Sequence, residues 1–187
     1  MNDLSTLSQF TGTRRYRLCS EDYLRMIDTG AFGDNHVELV GGELVQMAPA
    51  GMNHGRSNVT LAVDLASIYK SLGATVVIDV VVELSDDTVR APDISVVDRD
   101  IGDRQKLVPA DVLLAVEISN TTLNEDLGRK RIDYASAGIR HYWVVDVDGR
   151  RIHTYADPQG ADYAAIRVFA FGEAVPVPGA DGAVTVS

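Results

Sequence analysis

The chain has 187 residues, 45% hydrophobic and 24% charged, the balance of an ordinary soluble globular protein long enough for one domain with a sizeable core. Its formal net charge of −10 lacks the basic footprint that releases counterions from phosphate, so tight, sequence-independent binding to duplex DNA is disfavoured. No window approaches the roughly 20 apolar residues of a membrane span, MNDLSTLSQF lacks a signal peptide's basic start and apolar core, and the single Cys19 excludes an intramolecular disulfide or a multi-cysteine metal site. A cytoplasmic protein that does not enter a membrane is expected, with Cys19 a small buried thiol.

Ser20 followed by EDYLRMID and Gly30 predicts a short helix with a hydroxyl N-cap, acids in its first turn and a glycine stop. HVELVGGELVQM is two alternating runs around Gly41-Gly42, a β-hairpin signal because a two-residue primed turn wants positive φ. PAGMNHG reads as a loop. SNVTLAVDLASIYKSLG carries apolar residues at helical spacing and predicts an amphipathic helix ending at Gly73. ATVVIDVVVELS is a β-branched run followed by a turn, DDTV, and a strand from Asp93 to Val97 starts behind Pro92, which cannot donate to a ladder. DVLLAVEIS is apolar almost throughout, the pattern of a strand covered on both faces in mid-sheet. NTTLNEDLGRKRIDYASAG predicts a helix stopping at Gly138. HYWVVDV and RIHTYA predict a hairpin around Asp148-Gly149, with Asp146 ending its strand as a turn former and Trp143 a core aromatic. Two further strands follow from Gly160. The order implies one α+β (mixed α/β) domain over residues 1–187, a central sheet flanked by helices with an extra N-terminal hairpin and C-terminal strands, and residues 1–18 and 174–187 peripheral.

In LLAVEISN, residues 113–120, Glu117 arrives where the strand should still be inside. An ionised carboxylate there costs several kcal/mol unless a donor, a cation, a metal or solvent compensates it. Asp93 opens one central strand and Glu117 closes another; if the strands are neighbours, both acids point at one spot. Two carboxylates in close approach repel unless a cation sits between them, and hard oxygen ligands of this kind suit Mg²⁺ or Mn²⁺. On the following helix Asp126 and Lys130, four apart, share a face with Asp133, and Tyr134 lies one turn beyond Lys130. An ammonium there would stabilise charge developing on a phosphate. Spacing alone favours a plain surface Asp–Lys pair, and the basic runs at Arg14, Arg15 and Arg17 and at Arg129, Lys130 and Arg131 read first as solvated faces.

Taken together, VELVGGELVQM, the histidine of NHG, APDISVV, LLAVEISNTT and EDLGRKRIDYASAGIRHYWVVD resemble the Uma-type endonucleases, a bacterial branch of the restriction-endonuclease-like PD-(D/E)XK superfamily. The resemblance runs from about Ser20 to Tyr155, and its specificity lies in the ordered set of motifs. It implies a restriction-endonuclease-like core and a Mg²⁺-dependent phosphodiesterase acting on DNA. Asp93 and Glu117 would hold the metal, with the backbone carbonyl of Ile118 as a further ligand. The superfamily's lysine, two residues after the acid, is replaced by Ser119, and the matching position moves to Lys130 on the next helix. Glu43 and His54 match further family positions, from which an acid would reach the metal and a histidine a phosphate; as bare residues Glu43 reads equally as an exposed hairpin acid, and His54 reads first as a helix-start surface group. Asp126 would position Lys130. Cores of this type often pair, so a homodimer is expected, and DNA binding is expected to be weak and metal-dependent. Two other readings fit the same residues: a non-catalytic DNA-associated or assembly module that lost turnover with the ExK lysine, and a metal hydrolase of small phosphate esters.

Overall fold

Gly41 and Gly42 both take positive φ, 57° and 79°, and close a two-residue turn between β1 (Val37–Val40) and β2 (Glu43–Gln46), with Val40 paired to Glu43. This is the hairpin predicted from the sequence. The structure is a computed structural model that describes residues 15–49, 51–97, 102 and 106–187; Arg14 and most of the expected N-terminal peripheral segment lie outside the described residues. A Cβ added to Gly42 would stand 2.8 Å from the Arg17 Cβ and 3.1 Å from the Leu18 carbonyl oxygen. Neither atom is the free end of a flexible chain, and the φ is left-handed as well. Gly42→Ala should therefore cost about 1–3 kcal/mol and lower the melting temperature by several degrees in a thermal melt.

The first helix, α1 (Ser20–Asp28), forms as expected, but its N-cap is Cys19, whose thiol is exposed rather than buried. The Ser20 hydroxyl is drawn away from capping and donates to Glu83 at 2.5 Å. The second helix, α2 (Met52–Tyr69), begins within the stretch read as a loop, so His54 stands in its first turn. The β-branched run after it is two strands in two different sheets, β3 (Thr75–Ile78) and β4 (Val82–Ser85), parted at Asp79, whose φ is 54°. The apparent turn is partly strand as well: β4 pairs antiparallel with β5 (Thr88–Arg90), giving a four-stranded sheet in the order β2-β1-β5-β4.

The second sheet has six strands. β3 pairs with β6 (Ile94–Val97), which begins one residue later than predicted, and β6 pairs with β7 (Val112–Ser119). A helical segment follows: α3 (Leu123–Glu125), a π-helical turn at Asp126–Lys130 and α4 (Arg131–Ser136). It crosses over to β8 (His141–Asp146), which lies parallel to β7. β9 (Arg151–Gln159) and β10 (Asp162–Ala170) complete the order β10-β9-β8-β7-β6-β3. The β8–β9 loop has four residues rather than two, and the Asp146 carboxylate accepts the Gly149 N–H at 2.8 Å, as its turn role requires.

β7 therefore lies inside the sheet and is covered on both faces, as its apolar sequence implied. Leu114, Val116 and Ile118 pack with Leu61, Leu65 and Tyr69 of α2 and with Trp143. Ala115 faces the other way, among Tyr134, Ala135, Tyr142 and Val144. The C-terminal stretch expected at the periphery is packed instead: β11 (Val175–Pro176) and β12 (Ala183–Val184) pair, and Val175, Val177, Val184 and Val186 join the α2 side of the core.

Candidate active site

Alternation along β7 answers the question posed by Glu117. The residues at 114, 116 and 118 turn toward α2, so Glu117 and Ser119 turn toward the helical segment after the strand. There the Lys130 ammonium stands 2.9 Å from Glu117 Oε2, and the Tyr134 hydroxyl donates to Oε1 at 2.8 Å. Glu117 is 3% exposed and Lys130 4%. The surface reading of the Arg129–Arg131 run thus fails at its middle residue. Its neighbours point elsewhere, Arg129 to Asp133 and Arg131 to Asp162.

Lys130 is held from behind. Asp126 Oδ1 lies 3.3 Å from its ammonium, while Asp126 Oδ2 accepts the Thr122 hydroxyl at 2.6 Å. Thr122 in turn stands 3.4 Å from the hydroxyl of buried Ser119, at the position of the superfamily's lysine. The π turn leaves helix carbonyls to be satisfied from outside, and the Tyr142 hydroxyl donates to that of Asp126 at 2.9 Å. Asp133, grouped with Lys130 by spacing, pairs instead with Arg90 and Arg129.

Ile94 of β6 pairs with Val116 of β7, and Asp93 sits at the bend just before Ile94, near enough for its charge to raise the cost of ionising Glu117. The Ile118 N–H donates to Asp93 Oδ2 at 2.6 Å, and His54 Nε2 lies 3.2 Å from both Asp93 oxygens. His54 is thereby brought to the acid pair from α2. The hydrogen bond to Asp93 raises its pKa above the ordinary histidine value, against the opposing effect of burial.

Glu43 is not brought in. It starts β2, an edge strand exposed along its length, and its side chain, 61% exposed, faces Arg17 at 3.9 Å. The acid that reaches the site from this hairpin is Glu38, on the inner strand β1. Its Oε2 meets Arg90 at 2.7 Å and its Oε1 accepts the Ala91 N–H at 3.1 Å, two residues before Asp93. Arg90, also buried, binds Asp133 at 2.6 Å and Glu125 at 3.3 Å. The sequence signal for Glu38 was the one used for Glu117, a carboxylate inside an apolar strand run; choosing between the two ELV repeats required knowing which strand is the edge.

Burial, opposed by Lys130 and reinforced by Asp93, Asp126 and Glu38, pushes the Glu117 carboxyl up to about 8. Burial works against the charge of Lys130, but Glu117, Glu38 and Asp126 more than offset it and hold the ammonium above its usual value. Among the described residues no three His, Cys, Asp or Glu side chains form a ready-made metal cage. The donor set nevertheless suits Mg²⁺, which takes one or two carboxylates and keeps several waters: Asp93 and Glu117 are hard oxygen donors near one another, and Asp93 raises the cost of Glu117's charge. Asp93, His54 and Lys130 take part in the lining of a cleft of about 710 Å³, and Glu117 lies behind it in contact with Lys130.

A six-stranded mixed sheet with acids converging at the ends of two central strands is the core of a restriction-endonuclease-like protein. The same fold is seen in the crystal structure of "a putative nuclease belonging to DUF820" from Anabaena variabilis ATCC 29413, 20% identical, with a TM-score of 0.59 over 76% of this chain and 81% of that one. Residues 20–185 match the Uma2 family, described as "Putative restriction endonuclease", and this chain belongs to that family. Among curated proteins nothing matches it.

Proposed function

We propose that this protein hydrolyses DNA phosphodiester bonds with the help of a divalent cation, Mg²⁺ or Mn²⁺, held by Asp93 and Glu117 with the Ile118 carbonyl as a further ligand. The observation that carries the reading is the buried contact of Lys130 with Glu117, 2.9 Å, within the field of Asp93. When bound, the cation supplies Lewis-acid polarisation of the phosphate and lowers the pKa of water. Lys130 places a fixed positive charge where negative charge grows on phosphorus-bound oxygen, in a site where burial strengthens the interaction. Asp126 and Thr122 hold that ammonium, Tyr134 holds the second oxygen of Glu117, and His54 with the Ile118 N–H fixes the orientation of Asp93.

Asp93→Asn tests the reading. Mn²⁺ should raise the melting temperature of the wild-type protein and leave the variant unmoved, and metal-dependent nicking of plasmid DNA should fall by at least about 100-fold. Nicking by the variant at the wild-type rate would sink it. One observation favours a second reading, a non-catalytic DNA-associated module: Glu117 already has a cation and a phenol, so the pair can persist as structure alone. Metal stabilisation without any nicking would select it.

A further inference from the structure

The cleft above Asp93 and Lys130 is built unlike a groove for a double helix. Among the described residues lining it there is no arginine and one lysine, Lys130, which is committed to Glu117 and Asp126. A duplex offers dense phosphate charge, which proteins meet with lysine and arginine. Here the chain carries −10 and presents apolar side chains instead. Val59 and Val63, one turn apart on α2, are each 62% exposed, and Ile78 at the end of β3 is 50% exposed; all three line the cleft. Core packing does not explain them, because α2 buries Leu61, Leu65 and Tyr69 on its inner side. Phe32, tilted against Tyr23 with ring centroids 5.7 Å apart, adds an aromatic surface to the same lining.

Three lining side chains also carry a buried polar atom without a partner: His54 Nδ1, Asn58 Oδ1 and Asn120 Oδ1. Buried polar groups are rarely left unpaired, so these are open positions for a ligand's hydrogen-bonding edge. The volume, about 710 Å³, is that of a pocket for one compact ligand rather than a long groove.

We propose that the cleft takes a single unpaired nucleotide, its base against the apolar wall of Val59, Val63, Ile78 and Phe32 and its phosphate at the Asp93–Lys130 floor. The substrate class is accordingly single-stranded DNA, or a frayed or mismatched end, rather than intact duplex. A base has an apolar face whatever its sequence, and such contact gives affinity that does not depend on charge. A base-paired nucleotide would first have to leave its stack, and an unpaired one avoids most of that cost. The inference deepens the nuclease reading and rests on it for the position of the phosphate.

The test is fluorescence anisotropy with a labelled oligo-dT strand, against the same strand annealed to its complement, in Ca²⁺. The strand should bind roughly tenfold more tightly than the duplex. The double variant Val59→Gln/Val63→Gln, at exposed helical positions, should lose roughly tenfold in affinity for the strand with an unchanged melting temperature. Equal or tighter binding of duplex, no binding of either, or wild-type affinity in the double variant would overturn the inference. Nicking assays with Mn²⁺ separate the two proposals. Strand-selective binding without any cleavage leaves the cleft assignment standing and removes the nuclease, whereas cleavage of intact duplex as fast as of single strand does the reverse.

Discussion

Lys130→Met should remove metal-dependent nicking by at least about 100-fold and also destabilise the fold by about 3–5 kcal/mol above pH 8, a drop of roughly 10 °C in melting temperature. The double effect follows from burial. The ammonium is the counter-ion of a carboxylate that water does not reach, so its loss leaves Glu117 alone with the fields of Asp93, Asp126 and Glu38. The size of the loss depends on pH, with a definite sign. The folded-state pKa of Glu117, about 8, lies above its ordinary value of 4.5, so folding favours the protonated acid. The stability this contributes is fully present below about pH 4.5 and is lost as pH rises through the folded value. Without Lys130 that value moves higher, because the chief force lowering it is gone. Because the unfolded value is common to both proteins, the variant's deficit should stay small and flat up to about pH 7 and widen as pH rises through 8, as measured by melts across the range. Glu117→Gln combined with Lys130→Met should recover much of the stability and none of the activity. A deficit that stayed flat with pH would mean that the two groups are not the coupled pair described.

Arg90→Met is expected to cost a similar 3–5 kcal/mol, with a different consequence for the site. The guanidinium joins Glu38 of the four-stranded sheet to Asp133 and Glu125 of the helical segment. Removing it strands the buried Glu38 carboxylate and leaves Asp133 with Arg129 alone, and a methionine of similar length fills the space without meeting either charge. Glu38 also accepts the Ala91 N–H and so pins the chain just before Asp93. The variant should therefore melt roughly 10 °C lower and should also lose part of the stabilisation by Mn²⁺, although Arg90 touches neither Asp93 nor Glu117 in any hydrogen bond or ion pair described. Adding Glu38→Gln to Arg90→Met removes one stranded charge, and a double-mutant cycle on the pair should give a coupling of more than about 1 kcal/mol. Coupling near zero would show that the two side chains act independently.

Local pattern carried much of the architecture. The paired glycines at 41 and 42 specified the hairpin because few other residues accept two positive φ values in succession. The unbroken apolar run before Glu117 specified an interior strand because only a strand covered on both faces can be apolar at odd and even positions alike. Features set by contact were misread. The run ATVVIDVVVELS has the composition of one strand, and nothing local shows that Asp79 turns the chain from one sheet into another. Thr88–Arg90 looks like the end of a turn until β1 and β4 lie beside it. The valines at 175, 177, 184 and 186 are too sparse to mark a buried strand, yet they complete the core over α2.

The candidate site divides along the same line. By itself the sequence determined that a carboxylate sits inside an apolar strand, that an aspartate opens another strand behind a proline, and that Asp126, Lys130 and Tyr134 recur at helical spacing, because each is a property of neighbours along the chain. Only the tertiary structure decided that Lys130 and Tyr134 close on Glu117 rather than on water, that Glu38 and not Glu43 joins them, and that Arg90 ties the two layers together. Those choices depend on which strand is an edge and which helix face meets the sheet, and such facts arise from contacts between residues far apart in sequence, where periodicity carries no information.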